Sequence, residues 1–192
     1  MDAHETRFSR SPSATTERLV LRSPQETERL GQALGQVLED GLVIGLLGPL
    51  GAGKTTLVRG LARGMGLSDR VTSPTFTLVN EYGGREPEQP RLIHVDVYRL
   101  DPHGAEAETI GLADLLDQVE APGATRPIAL VVEWAERVAD WLPEDRLEIR
   151  LDYSQALQGP SQVQAREAEL RASGPHSQAV LCRARPRLEQ LR

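Results

Sequence analysis

Between a continuous apolar run, Leu42–Leu47, and a stretch of helical periodicity lies Gly48-Pro49-Leu50-Gly51-Ala52-Gly53-Lys54-Thr55, which fits the pattern G-x-x-x-x-G-K-[ST]. No other stretch constrains the fold as strongly. The run before it reads as a strand buried on both faces, as in a parallel sheet. After it, Leu57, Leu61, Ala62 and Met65 recur at helical spacing, with Gly64 and Gly66 near the stop. Glycines let the loop curl so that successive N–H groups converge, and the helix N-terminus adds its dipole, so the strand, loop and helix together form an anion cradle. A loop that merely turns the chain is the bland alternative, and the strand-helix context disfavours it. The expected fold class is α/β, a P-loop NTPase-like three-layer fold with a mixed parallel/antiparallel sheet.

Within that cradle Lys54 is placed to reach the β- and γ-phosphates of a nucleotide as a compact charge. Thr55 offers a hydroxyl to Mg²⁺, and Thr56 offers one to phosphate. Of the 22 basic residues, Lys54 is the only lysine. The Asn/Thr-Lys-x-Asp motif of guanine-specific GTPases needs a second lysine, so that class is excluded.

A chain of 192 residues suits one core. Residues 1–16 read as a flexible polar leader, 17–184 as the domain and 185–192 as a solvated, arginine-rich tail. No apolar run approaches the ~20 residues of a membrane span, and no h-region follows the N-terminus. The single cysteine, Cys182, agrees with a reducing compartment and is expected to be a buried bystander; the expected location is cytoplasmic. A net charge of −6 argues against strong direct nucleic-acid binding.

The remaining pattern predicts a strand over 18–22, then a capping box Ser23-Pro24-Gln25-Glu26 opening a helix that carries Leu30, Ala33, Leu34, Val37 and Leu38 and stops at Asp40-Gly41. Residues 76–81 and 92–98 read as an antiparallel pair around a long loop. A helix is expected within 105–117, and a second apolar strand over 128–132 ends at Glu133-Trp134. A closing hairpin of 147–151 with Arg166–Ala172 precedes a helix over 176–184.

Glu133 is either an ordinary polar strand end or, more consistent with a preceding phosphate loop, a carboxylate that holds a Mg²⁺ water or orients an attacking one. Asp96 competes for that role. Period two puts His94, Asp96 and Tyr98 on one face, which is either a site or the wet face of an antiparallel pair. Ser73-Pro74-Thr75-Phe76 is a γ-phosphate-sensing loop or a simple turn.

GPLGAGKTTLVRGLARGMG, SPTFTLVNEY, HVDVYRL and VVEWAERV resemble, in order and spacing, the TsaE (formerly YjeE) family of bacterial tRNA-modification ATPases, over about residues 18–184. The resemblance implies ATP and Mg²⁺ as cofactors. Gly48, Leu50, Gly51, Ala52, Gly53, Lys54, Thr55 and Thr56 would hold the phosphates, and Lys54, Asp96 and Glu133 would serve hydrolysis, with Thr55 and the two carboxylates toward the metal. It makes Ser73, Thr75 and Phe76 a switch-like loop, adds His94, Tyr98, Arg99 and Trp134 to the site surface, and sets Thr27 and Arg166 near the adenine or ribose. Pro49 departs from the family, where an acidic residue is common, and removes one N–H donor. Similar proteins bind a TsaB-TsaD pair and hydrolyse ATP slowly to support threonylcarbamoyladenosine formation beside the tRNA anticodon, without transferring the group themselves. Two rivals differ in class. A small-molecule kinase needs lid arginines, of which 101–127 offers few; a nucleotide-gated binding module would hydrolyse only incidentally.

Overall fold

The computed structural model describes residues 14–39, 41–86, 88–100, 110–120, 126–154 and 165–191. Among them, seven strands form one mixed sheet: β1 (Thr15–Leu21), β2 (Leu42–Leu47), β3 (Val79–Gly83), β4 (Arg91–Asp96), β5 (Ile128–Glu133), β6 (Leu147–Tyr153) and β7 (Arg166–Ala172). Their spatial order is β1-β7-β6-β2-β5-β4-β3. β2 runs parallel to β5 and β6, and β4 parallel to β5. The flanks β1/β7, β6/β7 and β3/β4 are antiparallel. The α/β expectation with a mixed sheet is thus met.

Helices α1 (Pro24–Gly35), α2 (Lys54–Gly64) and α4 (Pro175–Leu188) cover one face, and α3 (Leu112–Glu120) with the 3-10 segment Ala135–Trp141 covers the other. Each face buries its own apolar cluster. Leu30, Leu34, Leu57 and Leu61 belong to the first, and Ile93, Val95, Leu130 and Val132 to the second. Period two explains the split, since alternate residues of the central strands feed opposite layers. α1 and α2 approach closely: a Cβ on Gly31 would stand 2.0 Å from the Leu57 carbonyl oxygen, and one on Gly60 1.9 Å from that of Glu28. Larger residues at those two positions would force the helices apart.

The capping box is present in modified form. Ser23 accepts from the Glu26 amide, and Glu26 Oε2 accepts from the Arg22 amide at 2.7 Å, one residue before the N-cap. Several boundaries differ from expectation. β1 begins at Thr15, inside the stretch read as leader. β3 begins only at Val79, because Leu78 takes a left-handed φ of 64° and its carbonyl receives the Asp96 amide. α3 begins at Leu112; positions 101–109, and Asp40 of the expected helix stop, lie outside the described residues.

α4 continues through Pro186 to Leu188, four residues into the stretch read as tail. Its arginines are not free in solvent: Arg185 pairs with Glu17 at 2.7 Å, and Arg187 donates to Gln36 Oε1. Leu188 is buried against the core beneath them. Cys182 is exposed on this helix, contrary to the expectation of burial, because the inward face is taken by Val180, Leu181 and Ala184.

Candidate functional site

The loop after β2 turns through three glycines in the left-handed region, Gly48 (φ 123°), Gly51 (76°) and Gly53 (108°). At Gly48 a side chain is doubly impossible, since its Cβ would stand 2.0 Å from the Leu151 carbonyl oxygen. The loop ends at the N-terminus of α2, where Gly53 caps without a side chain and leaves the first amides open.

Lys54 is the first residue of α2 and is 4% exposed. Its Nζ donates to the carbonyls of Gly48 at 2.7 Å and Pro49 at 3.1 Å, and lies 3.8 Å from the centroid of the Trp134 ring. Burial pulls the ammonium pKa below the ordinary lysine value, and the nearby carboxylates of Glu133, Glu136 and Asp96 oppose that fall.

The carboxylates stand on the opposite wall. Asp96 and Glu133 end the neighbouring parallel strands β4 and β5 as register partners. Glu133 Oε1 accepts from Thr55 Oγ1 at 2.8 Å and from His94 Nε2 at 2.9 Å. A carboxylate acceptor assigns the proton to Nε2 of the imidazole. His94 Nδ1 is buried and without a hydrogen-bond partner among the described residues. Asp96 accepts from Thr75 Oγ1 and from the Tyr98 amide, and Thr75 also contacts Ser73 Oγ at 2.7 Å. The 73–76 loop is therefore tied to the strand that carries Asp96.

Trp134 holds a left-handed φ of 62°, rare for a bulky residue, and its amide donates to the Leu46 carbonyl. This places its ring against Lys54 and 4.9 Å from Tyr98. Arg137 braces the following turn by donating to the carbonyls of Tyr98 and Leu100.

A cleft of about 460 Å³ is lined by Leu50, Gly51, Ala52, Gly53, Lys54, Thr55, Thr56, Arg59, Ser73, Thr75, Asp96, Tyr98, Glu133 and Trp134. Most of the residues read from the sequence therefore meet here. His94 does not belong to a surface: it is wholly buried, so the wet-face reading of β4 also fails, because this strand lies between β5 and β3 with helices over the sheet. It supports Glu133 from behind. Thr27 is buried, with its methyl 3.5 Å from where a Gly53 Cβ would stand, beneath the loop. Arg166 lies on the loop's outer side and donates to the carbonyls of Ala52 and Gly51. Phe76 is 86% exposed outside the cleft, with the Arg99 guanidinium 5.5 Å from its ring centroid.

Sequence reading missed two residues. Arg59 adds a second cation to the cleft and donates to the Val71 carbonyl; its position one turn after Thr55 on α2 was the available signal. Tyr153 donates to the Leu50 carbonyl across a separation of 103 residues, which no local pattern reveals.

A groove of similar size, about 470 Å³, crosses the outer face of β1, β6 and β7, lined by Arg18, Arg150, Asp152, Glu167 and Glu169 among others. It contains no buried charge, and Arg18 pairs with Glu169 within it at 2.8 Å. The loop cleft, which gathers the buried Lys54, Asp96 and Glu133, is therefore the candidate site.

The cleft fits a magnesium-bound polyphosphate. Its donors are a hydroxyl and two carboxylates, all oxygen, as Mg²⁺ requires, and its loop is shaped for close approach of phosphate oxygens. Among the described residues no group of three or more His, Cys, Asp or Glu forms a protein-only metal cage. No described helix is long and apolar enough to cross a membrane.

Residues 21–161 match the family described as Threonylcarbamoyl adenosine biosynthesis protein TsaE. A relative from Treponema pallidum, named tRNA threonylcarbamoyladenosine biosynthesis protein TsaE, is 43% identical over 134 residues, covering 70% of this chain and 90% of its own. Relatives with the same name from Mycobacterium bovis and Nostoc are each 40% identical, over 128 and 138 residues; the shares covered are 67% and 71% of this chain, and 74% and 78% of theirs. The crystal structure of Bacillus subtilis YdiB superposes with a TM-score of 0.66 at 26% identity, covering 92% of this chain and 98% of that one.

Proposed function

Since the chain belongs to the TsaE family of threonylcarbamoyl adenosine biosynthesis proteins, we propose that it is the ATPase of that tRNA modification, binding Mg-ATP and hydrolysing it to ADP and phosphate in association with a TsaB-TsaD pair. The observation that carries the reading is the convergence of Lys54, Thr55, Asp96 and Glu133 on one cleft behind a glycine loop.

Each residue has a separable task. The loop amides and the first turn of α2 bind phosphate oxygens, and Lys54 neutralises the β- and γ-phosphates from its buried seat. Magnesium, when bound, supplies charge neutralisation across those oxygens, with Thr55, Asp96 and Glu133 as the residues that would hold it or its waters. Glu133, fixed by His94 and Thr55, orients the attacking water. Asp96 reports phosphate occupancy to Ser73, Thr75 and Phe76 through its hydrogen bond from Thr75. Phe76, Tyr98 and Arg99 sit exposed at the mouth and offer a face to the partner proteins. Thr27 seats the loop at Gly53. The proposed domain runs from β1 at Thr15 to the end of α4 at Leu188, wider at both ends than the 17–184 expected, and the cytoplasm is its proposed location.

The test is phosphate release from Mg-ATP by the purified chain, alone and with a TsaB-TsaD pair. Release that needs no small-molecule acceptor and rises with the pair supports the reading. Consumption of ATP strictly dependent on a metabolite would instead identify a kinase.

A further inference from the structure

The concave side of the phosphate loop explains binding, but its convex side is also built. Three successive carbonyls, those of Leu50, Gly51 and Ala52, are each held from outside by the antiparallel hairpin of β6 and β7. Tyr153 Oη donates to the Leu50 carbonyl at 2.8 Å. Arg166 donates through Nε to Ala52 at 3.0 Å and through one terminal nitrogen to Gly51 at 3.2 Å. The guanidinium also stacks 4.3 Å from the Tyr153 ring centroid, so the two side chains support each other. Gly51 admits this contact: a Cβ there would stand 3.0 Å from the Tyr153 hydroxyl, in addition to its left-handed φ.

We infer that Arg166 and Tyr153 form a clamp that presets the phosphate loop, acting on nucleotide affinity through the loop rather than by touching the nucleotide. In a trans, planar peptide unit the C=O and the following N–H point to opposite sides. Fixing the carbonyls of Leu50, Gly51 and Ala52 outward therefore turns the amides of Gly51, Ala52 and Gly53 away from the hairpin, toward the side from which phosphate approaches. Ala52 spends its amide on the Pro49 carbonyl within the turn, which leaves those of Gly51 and Gly53 for the ligand. Pro49 has no N–H, so the amides that remain carry more of the task, and the clamp compensates by ordering them beforehand. Both clamp residues are positioning residues. The inference rests on the proposed Mg-ATP binding.

The experiment compares the wild type with Arg166→Met and Tyr153→Phe, titrating each calorimetrically with Mg-ATP and with magnesium tripolyphosphate, which has no nucleoside. Steady-state turnover is measured alongside with the TsaB-TsaD pair, and thermal unfolding reports folding. Tyr153→Phe keeps the ring and loses one bond, so it remains informative if Arg166→Met unfolds. The clamp predicts a Kd for ATP raised roughly tenfold in Arg166→Met and about threefold in Tyr153→Phe. It also predicts the same factors for tripolyphosphate, a KM that rises in parallel, and an unchanged kcat at saturation. Weakened ATP binding with tripolyphosphate unaffected would overturn it and place Arg166 on the nucleoside. Unchanged affinities for both ligands would overturn it, as would a wild type that binds ATP but no tripolyphosphate. A wild type that binds neither ligand would overturn the functional reading first, and the clamp with it.

Discussion

The parallel centre of the sheet and its antiparallel flank differ in what they bury. At the C-terminal ends of β2, β4 and β5, Lys54, His94, Asp96 and Glu133 are all nearly inaccessible. The flank of β1, β6 and β7, with α4 behind it, buries no ionisable side chain among the described residues, only Ser154 and Ser177, and both are hydrogen-bonded. Burying charge is costly unless each group is paired. The centre bears that cost where a cation and a polyphosphate together would offset charges of both signs, whereas the flank is built for stability and for bracing the loop. Away from the clamp residues Tyr153 and Arg166, mutations in the two regions should therefore separate activity from stability.

The largest effect is expected from Lys54→Ala. Phosphoryl transfer rests on positioning and charge neutralisation, so turnover should fall by a factor on the order of a hundred or more. The unfolding midpoint should hardly move, because a desolvated charge is removed along with its bonds. Parallel ATPase and thermal-melt measurements decide this. A midpoint that collapses would erase the distinction between the regions.

Glu133→Gln comes next. It keeps the hydrogen bonds' geometry but not the charge, so turnover should drop roughly a hundredfold while Mg-ATP binding survives. Single-turnover kinetics beside equilibrium binding would read the split. Thr55→Ala should act more narrowly, raising the magnesium concentration needed for half-maximal activity about tenfold, because it removes a metal-directed hydroxyl that also seats Glu133.

The smallest effect on activity is expected at Asp145, in the flank and away from the loop. Asp145 accepts from the amides of His176 and Ser177 and so caps α4 from a distance. Burial alone would raise its pKa, but the hydrogen bonds from Ser177 and His176 outweigh it, and the net shift is downward. A lowered folded value means that this group's stabilisation is fully present above the ordinary aspartate pKa and is lost as pH falls through the folded one. Asp145→Ala should therefore lose about 1–2 kcal/mol at neutral pH, converge with the wild type in acid, and leave turnover unchanged. Denaturant melts across pH test it, and a constant difference down to strong acid would refute it.

The same contrast explains what the sequence made legible. The β2-loop-α2 unit was visible because the motif is contiguous and its flanks carry opposite periodicities. Glu133 was visible as a carboxylate closing an apolar run. His94 was not correctly placed, since alternation along β4 cannot say which face is wet when the strand is interior to the sheet. The true ends of β1 and α4 escaped because Thr15 is held by pairing to Ala172, and Pro186 by a helix anchored at Leu188. Tyr153 needed the tertiary structure, because what makes it matter is the Leu50 carbonyl it meets across the fold, whereas Arg59 was signalled only by its place one turn after Thr55.

On the reading proposed above, the turn beginning at Gly48 grips the phosphates of Mg-ATP. Calorimetric titration of Mg-ATP into the wild type and into Lys54→Ala, each alone and with the TsaB-TsaD pair, addresses it directly. Saturable one-site binding is expected in the wild type, weakened by a factor on the order of a hundred in the variant. Equal binding by the two proteins, or no binding by the wild type in either setting, would contradict it.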